Sequence, residues 1–520
     1  MSTRSSTTLP ADRADRADRA GDQGLRANTM GWVGAAALGA IIMSPAGGIY
    51  FNFGPMVQKA GGVAPFIFIM AMIASLPTAL SFALVAGEMP AAGSVYTWIW
   101  NATKPVIGLF VGWVFIGFYL MSMIVLPGIF ALFFNEFLGY FGLATGYGTW
   151  AIGVLLTTGL VVLFDYFGVK VTVRGTQIFM VAESLILLAL AGTIFALGGS
   201  AHHVTAQPFN PSFAVGGSAA LFGALIFGLQ ANVGYDAVAT LAKETRTPRK
   251  YIPLATISAV VAVGIYWIIV SWAFALSAPV HTIVTLMNTG FTPITAIAKQ
   301  YWGGWNILIT ISAMTSITGI YMAQTAATSR ALYAMGRDAT IPGWFGKLHP
   351  TYRVPWNAMT VGIILTTIVT LVLGAALGLA NQYNWTGTMA SFLGLLTYFA
   401  VNAANIIFFW RFRRDRFNRV LNGVVPIVGM LVVVYILWNS YLVSLWNAGW
   451  EFGQSVQLAV VMWLILGVVW TTVLRRRQPH LFQQRSYVVG QEEELPTEGT
   501  VLAPVEPGLL LPGDPNLPNL

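Results

Sequence analysis

Ser44-Pro45-Ala46-Gly47-Gly48 and Gln230-Ala231-Asn232-Val233-Gly234 decide how this chain is read. Each interrupts a long apolar run, the first and the sixth along the sequence. A lipid-exposed helix cannot drop its backbone hydrogen bonds, because each unsatisfied amide in hydrocarbon costs several kcal/mol. Breaks at mid-membrane depth persist where they line a cavity. Paired breaks at corresponding places in two halves of a chain point to the binding site of a secondary transporter.

The composition around these runs is that of a polytopic membrane protein. Of 520 residues, 56% are hydrophobic and 9% charged, against about 25% charged in a soluble domain. Mean hydropathy is +0.70. The chain has no cysteine, which excludes disulfides, thiolate metal sites and thiol nucleophiles. The net charge of +8 matters less than its distribution across the membrane.

About twelve segments approach the roughly 20 residues that a bilayer requires: 31–56, 63–86, 105–137, 147–167, 175–199, 217–243, 251–277, 304–335, 357–379, 386–410, 421–446 and 453–474. The first and sixth are the broken ones. Lysine and arginine set the orientation. All but Lys59 and Lys299 of the 27 basic residues fall in the two ends and in the loops after even-numbered spans, so that face and both termini are assigned to the cytoplasm of the plasma (inner) membrane. An odd span count would scramble this segregation. Residues 1–30, with their Ala-Asp-Arg repeat from Ala11, are expected to form a solvated cytoplasmic arm. The first apolar run is too long, and too continuous with a span, for a signal peptide. Residues 475–520, rich in Pro, Glu and Leu, are expected to be a disordered tail.

At the first break Pro45 lacks an amide donor, and Gly47 and Gly48 permit conformations that other residues avoid. An opening there presents amides at the start of the outer half-helix, which favour an anion such as a carboxylate. Carbonyls at the end of the inner half suit an ammonium group or a cation. A simple proline kink is the structural alternative. The second break places Gln230 and Asn232 in a span otherwise made of Leu, Phe, Ala and Gly, with Asp236 close behind. Polar groups at that depth face the bundle interior or a water-filled cavity. The two breaks lie five spans apart, each opening a five-helix block, and this internal repetition supports the transporter reading over the kink.

Three stretches resemble the amino acid–polyamine–organocation superfamily of permeases. Gly234-Tyr235-Asp236, Lys243-Glu244-Thr245-Arg246-Thr247-Pro248 and Ile252-Pro253 are similar to the family's sixth-helix signature. Glu88-Met89-Pro90-Ala91-Ala92-Gly93-Ser94-Val95-Tyr96 is similar to its loop between helices two and three. Ser329 to Asp338, with Pro342, resembles the end of its helix eight. With the first break, the likeness covers spans one to eight; the last four spans match by hydropathy alone.

The resemblance implies an all-α fold of twelve transmembrane helices. Ten form a five-plus-five inverted repeat (LeuT-like) with helices 1 and 6 discontinuous: repeat one over about 31–199, repeat two over about 217–412. Two additional helices follow at about 421–474. It implies transport of an amino acid or amine by alternating access in a permease of bacterial type, as monomer or homodimer. It places the substrate carboxylate at the amides of Ala46, Gly47 and Gly48. The amine falls to carbonyls near Ile42 and Met43 and around Gln230 to Val233, with Ser44, Ala231, Asn232 and Gly234 completing the site. Such permeases often carry an aromatic lid where this chain has Gln230.

Coupling candidates come from the acids at membrane depth. Glu183, mid-span in the fifth helix, is a candidate proton carrier because desolvation disfavours its charged form. Asp236 is a second. A structural hydrogen-bonding role is the alternative for both. Proton-coupled import of an amino acid is the expected mode, with obligate exchange as runner-up, a polyamine importer as a further alternative and sodium coupling left open. Tyr119, Gln324 and Asn402 are candidates to line the path, with Asn405 beside Asn402; interhelical bonding is the alternative. The stretches Pro90–Tyr96 and Pro293–Trp302 occupy equivalent places in the two halves and suit lids for the two faces. Glu88 and Glu244 lie among nearby arginines, where a solvated surface pair is expected and an inner salt-bridge network is the alternative; Gly108 and Gly112 are expected as a helix-packing pair.

Other classes fit less well. None of the five histidines (His202, His203, His281, His349, His480) is mid-membrane, no metal or cofactor is expected, and no acid–base constellation suggests an enzyme. A channel would show a repeated filter or rings of charge. Nothing suggests a nucleic-acid partner, and a receptor or scaffold has no need of two mid-span breaks.

Overall fold

A computed structural model of the chain describes residues 31–89, 94–166, 169–240, 245–289, 292–350, 354–444, 446 and 449–483. The N-terminal arm, Glu244, Pro90 to Gly93 and most of the expected tail lie outside the described residues. Among the described residues the chain is helical and forms no strand. Eleven helical stretches are long and apolar enough to cross a membrane, and a twelfth apolar helix, Gly217–Ala231, is shorter.

The first span is two helices, α1 (Trp32–Met43) and α2 (Pro45–Ala60). Then come α3 (Ala64–Glu88), the short α4 (Val95–Ala102), α5 (Pro105–Gly139), α6 (Tyr147–Tyr166) and α7 (Val169–Ala196). The sixth span is α8 (Gly217–Ala231), an open turn, and α9 (Ala237–Thr240). The chain continues through α10 (Pro248–Ser277), α11 (Val280–Thr289), α12 (Pro293–Trp302), α13 (Ile307–Arg337), α14 (Trp356–Leu377) and α15 (Leu379–Phe412). The last membrane helices are α16 (Val425–Ile436), flanked by wide π-helical turns, and α17 (Ser455–Arg477); a short α18 (Pro479–Gln483) follows. Proline opens α2, α5, α10 and α12, where its missing amide donor costs no hydrogen bond and its fixed φ suits a first turn.

The breaks differ from their expected form. The first is one residue wide. Ser44 sits at φ 45°, ψ 93° and both neighbours are helical, so Ala46, Gly47 and Gly48 form the first turn of α2 instead of an open strand. Ser44 closes both half-helices. Its amide donates to the carbonyls of Ala40 and Ile41, and its own carbonyl accepts from the Gly48 amide at 2.9 Å. In the sixth span Gln230 and Ala231 are still helical. The open stretch is 232–236, with Gly234 at φ 120°, which only glycine adopts without strain.

Spans five apart pack together: α2 against α8, α3 against α10, and α5 against α13. α5, the longest helix, also carries α15. Tyr235 in the sixth-span turn stacks its edge on Phe82 of α3 and lies 5.4 Å from the Tyr398 ring of α15, fixing the turn between these two helices. Gly108 and Gly112 do serve packing. The Trp100 backbone of α4 comes within 2.4 Å of where a β-carbon at 108 would stand.

Two surface expectations need correction. Glu88 is not a solvated partner of one arginine: its side chain is 10% exposed and meets Arg416 at 3.0 Å, Arg249 at 3.5 Å and Arg413 at 3.6 Å. The chain also stays helical past 474, where a disordered tail was expected. Phe482 of α18 stacks on Trp100 at 6.0 Å, and this apolar contact holds the segment.

Candidate functional site

The two breaks face one cavity of about 150 Å³. Its walls come from α1, α2, α5, the sixth span, α13 and α15. Met43, Ser44, Gly47, Gly48, Gln230, Ala231, Val233, Gly234, Asp236, Tyr119 and Gln324 all line it. Asn52, Phe118, Ser122, Ile320, Gly387 and Ser391 line it as well and were not anticipated from the sequence. Asn52 stands one helical turn after Gly48 and donates to its carbonyl at 3.0 Å. That i, i+4 spacing was the signal available to find it.

Four expected site residues stand apart from this wall. Ala46 is fully buried beneath it. Asn232 turns its side-chain amide back to the Gly228 carbonyl at 2.9 Å, ending α8 instead of reaching into the cavity. Asn402 ties α15 to α3, donating to the Thr78 hydroxyl at 2.9 Å and to the Tyr398 carbonyl at 3.0 Å. It bonds helices together rather than lining a path, and Asn405 does the same through Ser81. Glu183 is the fourth, set behind Ser44.

The first break offers less backbone than an open strand would. The Gly47 amide is bonded to the Ser44 hydroxyl oxygen at 3.1 Å, and that of Gly48 is taken by the Ser44 carbonyl. Trp267 of α10 donates its indole N–H to the Pro45 carbonyl at 2.7 Å and so pins the first turn of α2. The start of α2 is thus held from outside its own helix.

Ser44 also looks away from the cavity. Its Oγ lies 2.7 Å from Ser316 Oγ and 3.5 Å from Glu183 Oε1. Glu183 is 2% exposed, and its Oε2 has no hydrogen-bond partner among the described residues. A buried carboxylate with one free oxygen can hold a proton or accept one.

Asp236 is satisfied instead. Tyr119 donates to Oδ2 at 2.7 Å, while Tyr398 at 3.1 Å and the Gly234 amide at 3.2 Å donate to Oδ1. The amide bond is local and holds the turn. The two tyrosines come from α5 and α15, so one carboxylate ties three elements at the cavity wall. Tyr398 was not foreseen as part of the site.

A family model described as amino acid permease matches residues 36–483. Among characterised proteins, the chain is similar to the branched-chain amino acid permease BcaP of Bacillus subtilis strain 168. The two are 25% identical over 464 residues, which is 86% of this chain and 92% of that protein. It is also similar to the methylthioribose transporter of the same organism, 25% identical over 439 residues, 81% of this chain and 88% of that one. The low-affinity putrescine importer PlaP of Escherichia coli K12 is 24% identical over 459 residues, 85% and 92% of the two chains.

Proposed function

The chain belongs to the amino acid permease family, and from that premise we propose that it is a secondary active transporter importing an amino acid or a related amine by alternating access, coupled to protons. The observation that carries the reading is the meeting of two helix breaks across one cavity, with Ser44 linking that cavity to the buried Glu183. The pairing of spans five apart supports an inverted repeat.

The substrate carboxylate approaches the amide of Gly47 and displaces the Ser44 hydroxyl from it. The amine meets the carbonyls that end α1 and the carbonyls near Gln230 to Val233. Met43, Phe118, Val125, Leu126, Val233 and Ile320 give the cavity apolar walls, which favours a neutral amino acid with an apolar side chain. Asp236 at the same wall favours a second reading, an amine such as putrescine, since a carboxylate attracts an ammonium group. Obligate exchange is the alternative to net import. The arginine-rich face is assigned to the cytoplasm of the plasma membrane by its excess of basic residues.

Uptake of a labelled amino acid and amine panel into proteoliposomes tests transport: if nothing moves or exchanges under any gradient, the reading is wrong. A thermal-shift screen over the same panel identifies the substrate, because bound ligand stabilises by mass action. Glu183→Gln is expected to abolish uphill uptake and preserve exchange; an unchanged pH dependence of uptake would remove Glu183 from the coupling step.

A further inference from the structure

A second carboxylate, Glu136, lies near the far end of α5, away from the substrate cavity, which it does not line. It stands near the side chain of Thr295, whose hydroxyl donates to the Thr292 carbonyl at 3.4 Å; Thr295 belongs to α12, the short helix at the face opposite the arginines. Beside it Asn306 donates to the hydroxyl of Tyr140 at 2.9 Å, and Tyr140 reaches Thr310 at 3.4 Å. Tyr140 is exposed there, at the edge of the helix bundle.

Between Glu136 and Glu183 runs a file of hydroxyls. Tyr50 packs on Phe133 with ring centroids 5.9 Å apart, and Phe133 stands one turn before Glu136 on α5. Its hydroxyl donates to Ser312 Oγ at 3.1 Å and to the Ile309 carbonyl at 3.2 Å, sharing one proton between them. Ser316 follows Ser312 by one turn of α13, on the same face, with β-carbons about 5–6 Å apart, a separation that one water spans. From Ser316 the file passes to Ser44 at 2.7 Å and ends at Glu183. Of these groups only Ser44 lines the cavity.

We propose that Glu136 takes protons from the face opposite the arginines and that Tyr50, Ser312, Ser316 and Ser44 relay them to Glu183, by a route that meets the substrate's only at Ser44. This rests on the reading of Glu183 as the coupling carboxylate. Each hydroxyl accepts one proton and releases its own, so none is consumed, and the proton passes from Ser44 to Oε1 of Glu183. The titratable groups facing the route among the described residues are Tyr50 and Tyr140 at Glu136, and Tyr50 and Tyr266 at Glu183. Because Ser44 belongs to both routes, substrate arrival at Gly47 and proton arrival at Glu183 compete for one hydroxyl.

The test uses the full chain in proteoliposomes with a pH dye inside, and as probe whichever of leucine, arginine and putrescine the wild type accumulates. Glu136→Gln and Tyr50→Phe are expected to slow substrate-evoked proton flux about tenfold while substrate counterflow stays within about twofold; Glu136→Asp restores the flux. Wild-type proton flux in both variants overturns the relay, and if Glu183→Gln still stops the flux the coupling reading survives. Equal loss of counterflow and flux in both variants shows a structural role and also overturns it. No proton flux in the wild type overturns relay and coupling together.

Discussion

A β-carbon at Gly48 would stand 2.4 Å from the indole nitrogen of Trp267, the group that donates to the Pro45 carbonyl at 2.7 Å. Neither neighbour can yield cheaply, because the indole is fully buried and its bond pins the start of α2. Overpacking of this kind costs about 1–3 kcal/mol. Gly48→Ala is therefore expected to lower uptake by roughly tenfold or more, and Gly48→Ala with normal uptake would show that the Trp267 contact does not shape the site. Asp236 gives a second expectation at this scale. Tyr119→Phe and Tyr398→Phe each remove one donor from a buried carboxylate, a bond to a charged group worth about 1.5–3 kcal/mol. Both should lower the thermal midpoint in detergent. The reverse result, no shift in either, would mean that the carboxylate does not hold the three elements together.

Among elements, the breaks were legible because glycine, proline and carboxamides stand out inside apolar runs. Their widths were not. Ala46, Gly47 and Gly48 are poor evidence for a helix, yet they form one because Ser44 satisfies groups of both half-helices and Trp267 packs where side chains would otherwise sit. The tyrosines around Asp236 lie 117 and 162 residues away in sequence, and no local pattern announces such a pairing. Glu88 shows the same limit. The sequence offers five arginines between Arg411 and Arg419, and the ends of α3, α10 and α15 decide which of them it meets. Arg249 and Arg416 are 39% and 47% exposed, so each pair alone is worth a fraction of 1 kcal/mol. Three guanidinium groups sharing one carboxylate are another matter, because removing it leaves them to repel each other. Glu88→Gln should loosen this face. Since the chain has no cysteine, Ser391→Cys at the cavity wall can report it: an impermeant maleimide added on the arginine side should label it roughly tenfold faster with Glu88→Gln, about 1.4 kcal/mol in the opening equilibrium. Equal labelling rates would deny the cluster a gating role.

For the whole molecule, charge asymmetry is the property that no single residue carries. All but two of the 27 basic residues fall at the ends or after even-numbered spans, and the Glu88 cluster brings arginines from after span six and span ten to one place. That contact requires the ends of α3, α10 and α15 to lie on the same face, which the alternation of spans also demands. The segment at His202 and His203 follows span five and must then lie on the other face. An alkaline phosphatase fusion matures only in an oxidising compartment, where its disulfides form. Fused after Ala201, it should be active in a bacterial host; fused after Arg477, it should be inactive, while a fluorescent protein at that same point should glow. Activity at both points would mean an even number of crossings between them where the twelve-span reading has seven, and would overturn the span count and the placement of Arg477 on the cytoplasmic face.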